Sequence, residues 1–384
     1  MSSNIVYHEV IPTNLLSTYA EFQNVDFDIS VPNRKINLGS IRLEGEVEVT
    51  YENQNLNSDV EKKQTQVSNK SIMMDGLVGG HAFFESITTT VSPAGAKNVV
   101  ETLNEYPRYV KMSVSATSGR NDMFNSNHAC EMKAPFDPMT NSILAGVVPS
   151  TQLTTAPQRL NPDFSIRPLF CMNSGEGAVS YDQVGDVQIS VTLARNFGAI
   201  FGNDVDENVK YVIRDLKLRF TSRPDDGERE PVVMKTKLNI KQSIQSTFAN
   251  IQTRVPAVCT AVTVSFQPQG EENTATNNNL QLAKIPSLSQ TQFLFNDSTN
   301  TLVSYIIRSV SEVTDRAIDS MMDTGRNALS PVHLANNNGF LVGTDFGGQA
   351  VDLSDTKFSL QLTSGISSAT PHIAYMYFHS FVEV

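Results

Sequence analysis

Residues 210–221, KYVIRDLKLRFT, and residues 372–379, HIAYMYFH, each have the character of the closing strand of a β-domain. In the first stretch Leu216, Leu218 and Phe220 alternate with charged residues, which is the pattern of a strand with one buried face. One stretch lies near the middle of the chain and the other close to its C-terminus. The sequence therefore predicts two β-domains that follow one another.

Alternation with a period of two recurs along the chain. In IRLEGEVEVTY, residues 41–51, the side chains of Ile41, Leu43 and Val47 face one way and the intervening glutamates face the other. This pattern is typical of an antiparallel strand that covers a core on one side. Further strands are predicted at 25–30, 82–91, 186–193, 261–266, 292–297 and 357–362.

Two helices are predicted as covers on these sheets. KNVVETLNEY, residues 97–106, has apolar residues on one helical face and ends before Pro107. SVSEVTDRAIDSMMDTG, residues 309–325, opens with a capping box of Ser309 and Glu312 and carries an apolar stripe.

The segment SRPDDGEREP, residues 222–231, predicts a domain boundary because it combines two prolines, a glycine and a run of charges. On either side the predicted elements follow the same order, from an alternating strand through an aromatic strand and a helix to two final strands. We therefore predict an all-β fold of two tandem eight-stranded jelly-roll β-sandwiches with a few short helices in the loops. The predicted limits are 1–22 for an N-terminal arm, 23–221 for the first jelly roll, 222–231 for the linker and 232–384 for the second jelly roll.

Composition restricts the class of protein. The 384 residues carry a net charge of −11 and are 40% hydrophobic, which is typical of a folded acidic protein. Neither end carries a basic arm, so direct nucleic-acid binding is not expected. Three widely spaced cysteines predict no disulfide framework, and the N-terminus has no signal-peptide pattern, so synthesis in a reducing cytoplasm is expected.

The sequence offers little for catalysis. The six histidines show no HExxH spacing, and neither a GxSxG elbow nor a phosphate-binding GxxxxGKS occurs, so neither an enzyme activity nor a cofactor is expected. One acidic loop, NDVDEN, supplies a weak cation candidate in Asp204, Asp206 and Glu207. It lacks the glycine and the distal glutamate of a calcium loop, and a solvated turn is the favoured interpretation.

The N-terminal segment IPTNLLSTYAEF, residues 11–22, contains a short apolar stripe of Leu15, Leu16, Tyr19 and Phe22. One interpretation is a strap packed on its own domain. The other is an assembly arm that docks on a neighbouring subunit or on a membrane surface.

The layout of nearly the whole chain resembles the double jelly-roll major capsid proteins of tailless icosahedral DNA viruses, the lineage of adenovirus-like viruses and membrane-containing phages. The resemblance lies in the order of elements. The stretches that carry it are VDFDISVPNRKINLGSIRLEGEVEV (25–49), GDVQISVTLARNFGAIFG (185–202), KYVIRDLKLRFTSRPDDG (210–227), VPAVCTAVTVSF (255–266), QFLFNDST (292–299), DLSDTKFSLQL (352–362) and HIAYMYFHSFVEV (372–384).

The resemblance implies a structural subunit without catalytic residues. It implies homotrimers in which six similar sandwiches surround a three-fold axis, giving pseudo-hexagonal capsomers that tile an icosahedral shell. The implied partners are copies of the chain, neighbouring capsomers, penton or minor capsid proteins and, as one option, an internal membrane. The implied location is the virion, after assembly in the host cytoplasm. Asn-rich loops at 119–128, 271–279 and 335–339 are expected on the outer face.

Two other classes of function stay open on the sequence. One is a different β-sandwich protein of a virion, such as a vertex component, a spike or a receptor- or glycan-binding protein. The other is an enzyme on a jelly-roll scaffold, although the absence of a His and Glu metal motif argues against a cupin.

Overall fold

The computed structural model describes residues 4–51, 72–117, 163–202, 205, 209–229, 231–255, 257–295, 300–306, 310–321, 339–346, 350–354 and 356–384. The strands of the first half are β1 Val6–Val10, β2 Asn24–Ile29, β3 Arg34–Asn37, β4 Arg42–Tyr51, β5 Phe84–Ser92, β6 Asn98–Asn104, β7 Asp163–Ile166, β8 Ala178–Ser180, β9 Asp186–Leu193 and β10 Val209–Pro224. Those of the second half are β11 Val233–Ile244, β12 Phe248–Thr253, β13 Val258–Pro268, β14 Gln290–Phe295, β15 Asn300–Ile306, β16 Val342–Asp345, β17 Val351–Asp352, β18 Phe358–Thr363 and β19 His372–Glu383.

The helices are short. They are α1 Tyr106–Thr117, α2 Cys171–Ser174, α3 Tyr181–Val184, α4 Asn196–Ala199 and α5 Val310–Ser320. Single 3-10 turns occur at Gly79–Phe83, Pro93–Gly95 and Gln269–Glu271.

The two halves have the same sheet topology. In the second half one sheet runs β11-β19-β13-β16, and the sheet facing it runs β12-β18-β14-β15. In the first half the sheets contain the series β1-β10-β4-β7 and β2-β9-β5-β6, with β3 and β8 added beside β10. If β1 is matched to β11 and β10 to β19, the strand orders are identical. Each half is a jelly roll, and the predicted all-β class is confirmed.

The terminal strand β19 is buried on both faces. Ala374, Met376 and Phe378 pack into the core of the second jelly roll. Tyr375 and Tyr377, on the opposite face, belong to a core cluster that is otherwise formed mainly by the first half. This double burial explains the nearly continuous apolar run in HIAYMYFH. When both faces of a strand are covered, apolar side chains are favoured at every position and do not alternate with polar ones.

Strand β10 closes the first jelly roll and faces its core on one side only. Tyr211 and Ile213 point inward, and a bulge then follows between Arg214 and Lys217. Asp215 takes a positive φ of 49° at this bulge. The extra residue shifts the alternation by one position, which turns the following Leu216, Leu218 and Phe220 inward as well.

The predicted helix at 97–106 is wrong. Residues Asn98–Asn104 form strand β6, which pairs with β5, and α1 begins only at Tyr106. Pro107 therefore lies in the first turn of a helix, where its missing N–H group costs nothing, and does not end one. The backbone changes direction at Glu105, whose φ is 50°.

The second predicted helix is confirmed over Val310–Ser320, and Ser309 and the predicted end at Gly325 lie outside the described residues. The predicted strand at 82–91 begins at Phe84, after the 3-10 turn. Strand β1 lies inside the segment predicted as an arm, and β10 continues to Pro224 within the segment predicted as a linker. The domain limits themselves stay a prediction.

Candidate assembly surfaces

Helix α1 of the first half packs on the outward face of β19, and this contact joins the two jelly rolls. The ring of Tyr109 lies 5.4 Å from that of Tyr377 and 6.3 Å from that of His379, centroid to centroid. The hydroxyl of Tyr377 donates a hydrogen bond of 2.8 Å to the carbonyl oxygen of Glu105. The joint is therefore aromatic at its centre, as stable interfaces are.

Arg108 of α1 is buried in this joint, with 2% of its surface exposed. Its guanidinium donates to the carbonyl oxygens of Asn279, at 2.6 Å, and Gln281, at 3.1 Å, and to the side-chain oxygen of Gln267. It also lies 4.0 Å from the centre of the Tyr375 ring. The two terminal nitrogens of a first-half cation are thus bonded to acceptors of the second half, so separating the halves would remove these hydrogen bonds.

The loop at 271–279, expected on the outer face, contacts the first half through its last two residues, and its place on the outer face stays a prediction. Asn278 donates to the carboxylate of Asp75 at 2.7 Å, and Asn279 donates to the carbonyl oxygen of Phe197. Asp75 also pairs with Lys111 at 2.7 Å. Burial raises the pKa of Asp75, but the charge of Lys111 and the hydrogen bonds from Lys111, Asn278 and the Leu77 N–H together outweigh it, and the pKa is lowered. Asn278 and Asn279 thus serve as hydrogen-bond donors at the joint. The loop at 119–128 and residues 335–338 lie outside the described residues.

Glu101 of β6 is a second buried charge at the joint. Its carboxylate accepts hydrogen bonds from the backbone N–H of Cys171, at 2.7 Å, and from that of Lys237 in β11, at 2.8 Å. Burial raises its pKa, and the nearby Lys237 opposes that rise. The carboxylate thus accepts from the first residue of α2, in the first half, and from the edge strand β11 of the second jelly roll.

A small cavity of about 70 Å³ lies at the same joint and is lined by charged side chains, among them Glu85, Glu105, Arg108, Arg195 and Lys241. Glu85 occupies an irregularity in β5 between Phe84 and Ser86. Burial, with the neighbouring Glu105 carboxylate, raises the pKa of Glu85 to about 7, although Arg195, Lys241 and Arg108 act in the opposite direction. This carboxyl group changes charge near neutral pH.

Tyr19, one of the four residues predicted for the arm, is buried on its own domain. Its backbone N–H donates to the carbonyl oxygen of Ile213 at 2.8 Å and its carbonyl oxygen accepts from the N–H of Ile213 at 2.7 Å. Its hydroxyl donates to the carbonyl oxygen of Asn14 and accepts from the N–H of Leu16, both at 3.1 Å. Tyr19 thus acts as the strap of the first interpretation.

The other three predicted arm residues are exposed. Leu15 exposes 68% of its surface, Leu16 47% and Phe22 59%. Leu15 and Leu16 line a groove of about 690 Å³ together with Ile11 and Leu216. Glu9, Asp215 and Lys217 also line this groove, which we call the arm groove. Phe22 lies elsewhere, with the Arg195 guanidinium 5.5 Å from its ring centre. Docking by these residues stays a prediction.

The outward face of β10 carries a ladder of ion pairs. Arg219 contacts Glu9 of β1 at 2.9 Å and Glu44 of β4 at 3.1 Å. Lys217 lies 3.4 Å from Glu9, and Arg214 pairs with Glu48. The matching face of β19 is aromatic and lies beneath the first jelly roll. The two jelly rolls therefore share a topology but differ in the chemistry of this face.

The weak cation candidate, Asp204, Asp206 and Glu207, lies outside the described residues. Within the described ranges, no three His, Cys, Asp or Glu side chains are grouped so that they could hold a metal ion. The part of the chain that the structure covers also contains no helix long and apolar enough to cross a membrane.

The buried charges at the joint could not be predicted from the sequence. Arg108 bonds to residues that follow it by 159 to 173 positions, and nothing local marks such partners. The only signal was a charged residue inside the apolar stretch YPRYV, which favours a buried and partnered cation.

No protein-family model and no curated protein matches the chain. Among solved structures, the Faustovirus major capsid protein aligns over 100% of this chain and 90% of its own, with a TM-score of 0.59 and 9% identity. The PBCV-1 virus capsid aligns over 100% and 95%, with a TM-score of 0.58 and 10% identity. The mavirus major capsid protein aligns over 98% and 90%, with a TM-score of 0.50 and 9% identity. The fold is the double jelly roll. The resemblance seen in the sequence layout is confirmed for the fold of this chain.

Proposed function

We propose that this chain is a structural major capsid protein that associates into homotrimers. Each trimer forms a pseudo-hexagonal capsomer, and capsomers tile an icosahedral shell. In this role the chain functions by association with copies of itself, and no catalytic activity is needed.

One observation carries the proposal. Two jelly rolls of identical strand order are fixed to each other through a buried aromatic joint, and capsid proteins share this layout over the full length. A rigid pair of similar modules gives six such modules in a trimer, which is a shape that can surround a three-fold axis as a hexagonal block. A flexible pair could not set the geometry of a shell.

The proposed organisation keeps the arm 1–22, the jelly rolls 23–221 and 232–384 and the linker 222–231. In this arrangement Tyr19 anchors the arm, while Leu15, Leu16 and Phe22 are available for contacts between subunits. The proposed partners are copies of the chain, neighbouring capsomers and penton or minor capsid proteins. The proposed location is the virion, with assembly in the cytoplasm of the host.

Light scattering coupled to size exclusion tests the proposal. A stable species near three times 42.2 kDa, with hexagonal outlines in negative stain, is expected. In purified particles the chain should be the dominant band on a stained gel. A chain that stays monomeric and binds glycans would instead support a receptor-binding protein, and turnover of a substrate would support an enzyme.

A further inference from the structure

Three side chains that can react with one another meet at the joint. Lys111 lies on α1 and Asp75 lies in the loop before the 3-10 turn Gly79–Phe83, whereas Asn278 belongs to the second half. Asp75 exposes 2% of its surface and Lys111 exposes 9%. The cluster thus places a nucleophile, an acid–base group and an acyl group together, with the first two buried away from bulk water.

One oxygen of the Asp75 carboxylate contacts both nitrogens. Nζ of Lys111 donates to Oδ2 at 2.7 Å and to Oδ1 at 2.9 Å, and Nδ2 of Asn278 donates to Oδ2 at 2.7 Å. The two nitrogens are therefore no more than twice 2.7 Å apart. The backbone N–H of Leu77 donates to Oδ1 at 2.9 Å and fixes the carboxylate. Asp75 can therefore exchange a proton with either nitrogen along an existing hydrogen bond.

The carboxamide of Asn278 is held at both ends. Its Nδ2 donates to Asp75, and its Oδ1 accepts from the backbone N–H of Leu280 at 3.0 Å. A donor on the carbonyl oxygen makes Cγ more electrophilic and stabilises the negative charge that a tetrahedral intermediate places on that oxygen. The amide nitrogen, which is the leaving group, faces the acid that can protonate it.

We propose that Lys111 and Asn278 become joined by an isopeptide bond, with Asp75 as the catalytic acid and base. The bond links the first jelly roll to the second covalently and makes the joint permanent. The inference goes beyond the proposed function, because the reaction takes place within one chain and does not depend on association between copies.

The reaction needs the neutral amine of Lys111. In the resting state the pair is ionic, since the pKa of Asp75 is lowered. Burial opposes this ionisation, because two charges away from water are costly, and transfer of one proton along the 2.7 Å hydrogen bond removes both charges. The products of that transfer are a free amine and a carboxylic acid, which are the nucleophile and the acid of the next step.

The lone pair of the amine attacks Cγ of Asn278 and forms the new C–N bond, while an electron pair of the C=O bond moves to Oδ1. Asp75 gives its proton to Nδ2, and the bond from Cγ to Nδ2 breaks with its electron pair on the leaving nitrogen. The pair on Oδ1 then restores the C=O bond, and Asp75 takes a second proton from Nζ of Lys111. The products are one amide, one ammonia and a protonated Asp75, and no oxidant, reductant or other reactant is consumed.

Mass spectrometry of the purified full chain tests the inference. After denaturation and digestion, the expected product is a branched peptide in which Lys111 is joined to Asn278. Trypsin should no longer cleave after Lys111, because its side chain is an amide. The intact chain should be lighter than its sequence mass by about 17 Da, the mass of one ammonia.

Four variants separate the roles of the three groups. Lys111→Arg keeps a positive charge beside Asp75 but removes the nucleophile, so the branched peptide and the loss of ammonia should both disappear. Asp75→Asn removes the acid and base and should slow formation of the bond at least about 100-fold. Asn278→Ala should form no bond, whereas Asn277→Ala, its matched control at the exposed neighbouring asparagine, should react as wild type does. Circular dichroism checks that each variant is folded.

Unlinked peptides that contain Lys111 and Asn278 in the wild-type digest would overturn the inference and leave the proposed function standing. Loss of ammonia that persists in Lys111→Arg would also overturn it, since an asparagine that cyclises on its own backbone releases ammonia as well. A chain that carries the bond but stays monomeric and forms no particles would support the inference and overturn the proposed function.

Discussion

Replacing Glu85 with glutamine should make the chain more stable above neutral pH and leave its stability near pH 5 almost unchanged. Glu85 lines the cavity at the joint, and its pKa is about 7 in the folded chain, against 4.5 for the ordinary group. The causes are burial and the Glu105 carboxylate, partly offset by Arg195, Lys241 and Arg108.

The sign follows from proton binding. The folded state holds the proton of Glu85 more tightly than the unfolded state, so the stability from this group is complete below pH 4.5 and is lost as the pH rises through about 7. At about 1.36 kcal/mol per pKa unit, the loss is roughly 2 to 3 kcal/mol, since some solvent reaches the side chain. Glutamine cannot ionise, so Glu85→Gln avoids this loss.

The assay is urea denaturation of both proteins at pH 5, 6, 7 and 8. The free energy of unfolding of Glu85→Gln, relative to wild type, should rise by roughly 2 to 3 kcal/mol between pH 5 and pH 8. The control is Glu176→Gln, which removes an exposed carboxylate outside the cavity and should follow the wild-type curve. Parallel curves for Glu85→Gln and wild type would refute the reasoning.

Three further outcomes are expected. Gly185→Ala should destabilise the fold by more than about 2 kcal/mol, because Gly185 has φ +64° and an added Cβ would lie 2.1 Å from the carbonyl oxygen of Ser92. Thermal unfolding measures the loss, and a variant as stable as wild type would contradict the prediction. Phe378→Ala should cost about 3 to 5 kcal/mol, since its buried ring packs edge-on against Phe358 at 5.2 Å. Phe381→Ala on the same strand, where the side chain is 37% exposed, should cost less than about 1 kcal/mol, and equal losses would argue against the burial of Phe378 in the core of the second jelly roll. Tyr19→Phe should lower the free energy of unfolding by about 1 kcal/mol and speed protease cleavage near Leu15, because the lost hydroxyl is hydrogen-bonded to the backbone of Asn14 and Leu16. An unchanged rate of digestion would show that Tyr19 does not anchor the arm.

Much of the fold could be predicted from the alternation of apolar and polar residues along the strands. DVQISVTL and IRLEGEVEVTY each bury one face of a sandwich, so their period of two is undisturbed and the strands appear where the pattern places them. The β10 pattern changes phase between Ile213 and Leu216, and that change marks the bulge. The order of such strands was enough to predict two jelly rolls.

The error at 97–106 has a specific cause. A run with several apolar residues before a proline fits a helix that ends there, but it also fits a strand followed by a helix that starts with that proline. In the structure Glu101 and Leu103 are buried and their neighbours are less so, which is the alternation of a strand. This burial depends on the pairing of β6 with β5 and on its contact with β11. Local sequence does not contain either neighbour.

The candidate surfaces were predictable only in part. The apolar stripe identified Leu15 and Leu16, which are exposed, together with Tyr19, which is not. All three residues belong to the same apolar stripe in the sequence. Tyr19 differs because its backbone forms a pair of hydrogen bonds with Ile213, a contact that the sequence does not show. The buried joint was invisible because Arg108 and its acceptors meet through tertiary contacts across two domains.

The position of β19 in the sequence has a consequence for synthesis on the ribosome. Its neighbours β11 and β13 and the covering helix α1 all precede it in the chain and are made before it. Until β19 leaves the ribosome, Tyr109 and Arg108 lack the strand that covers them. On the nascent first jelly roll this patch is therefore exposed to water or covered by a chaperone. The joint can therefore form only after both jelly rolls have been made. A chain truncated before β19 would expose the side of α1 that carries Tyr109 and Arg108, and chaperones and proteases bind such exposed surfaces.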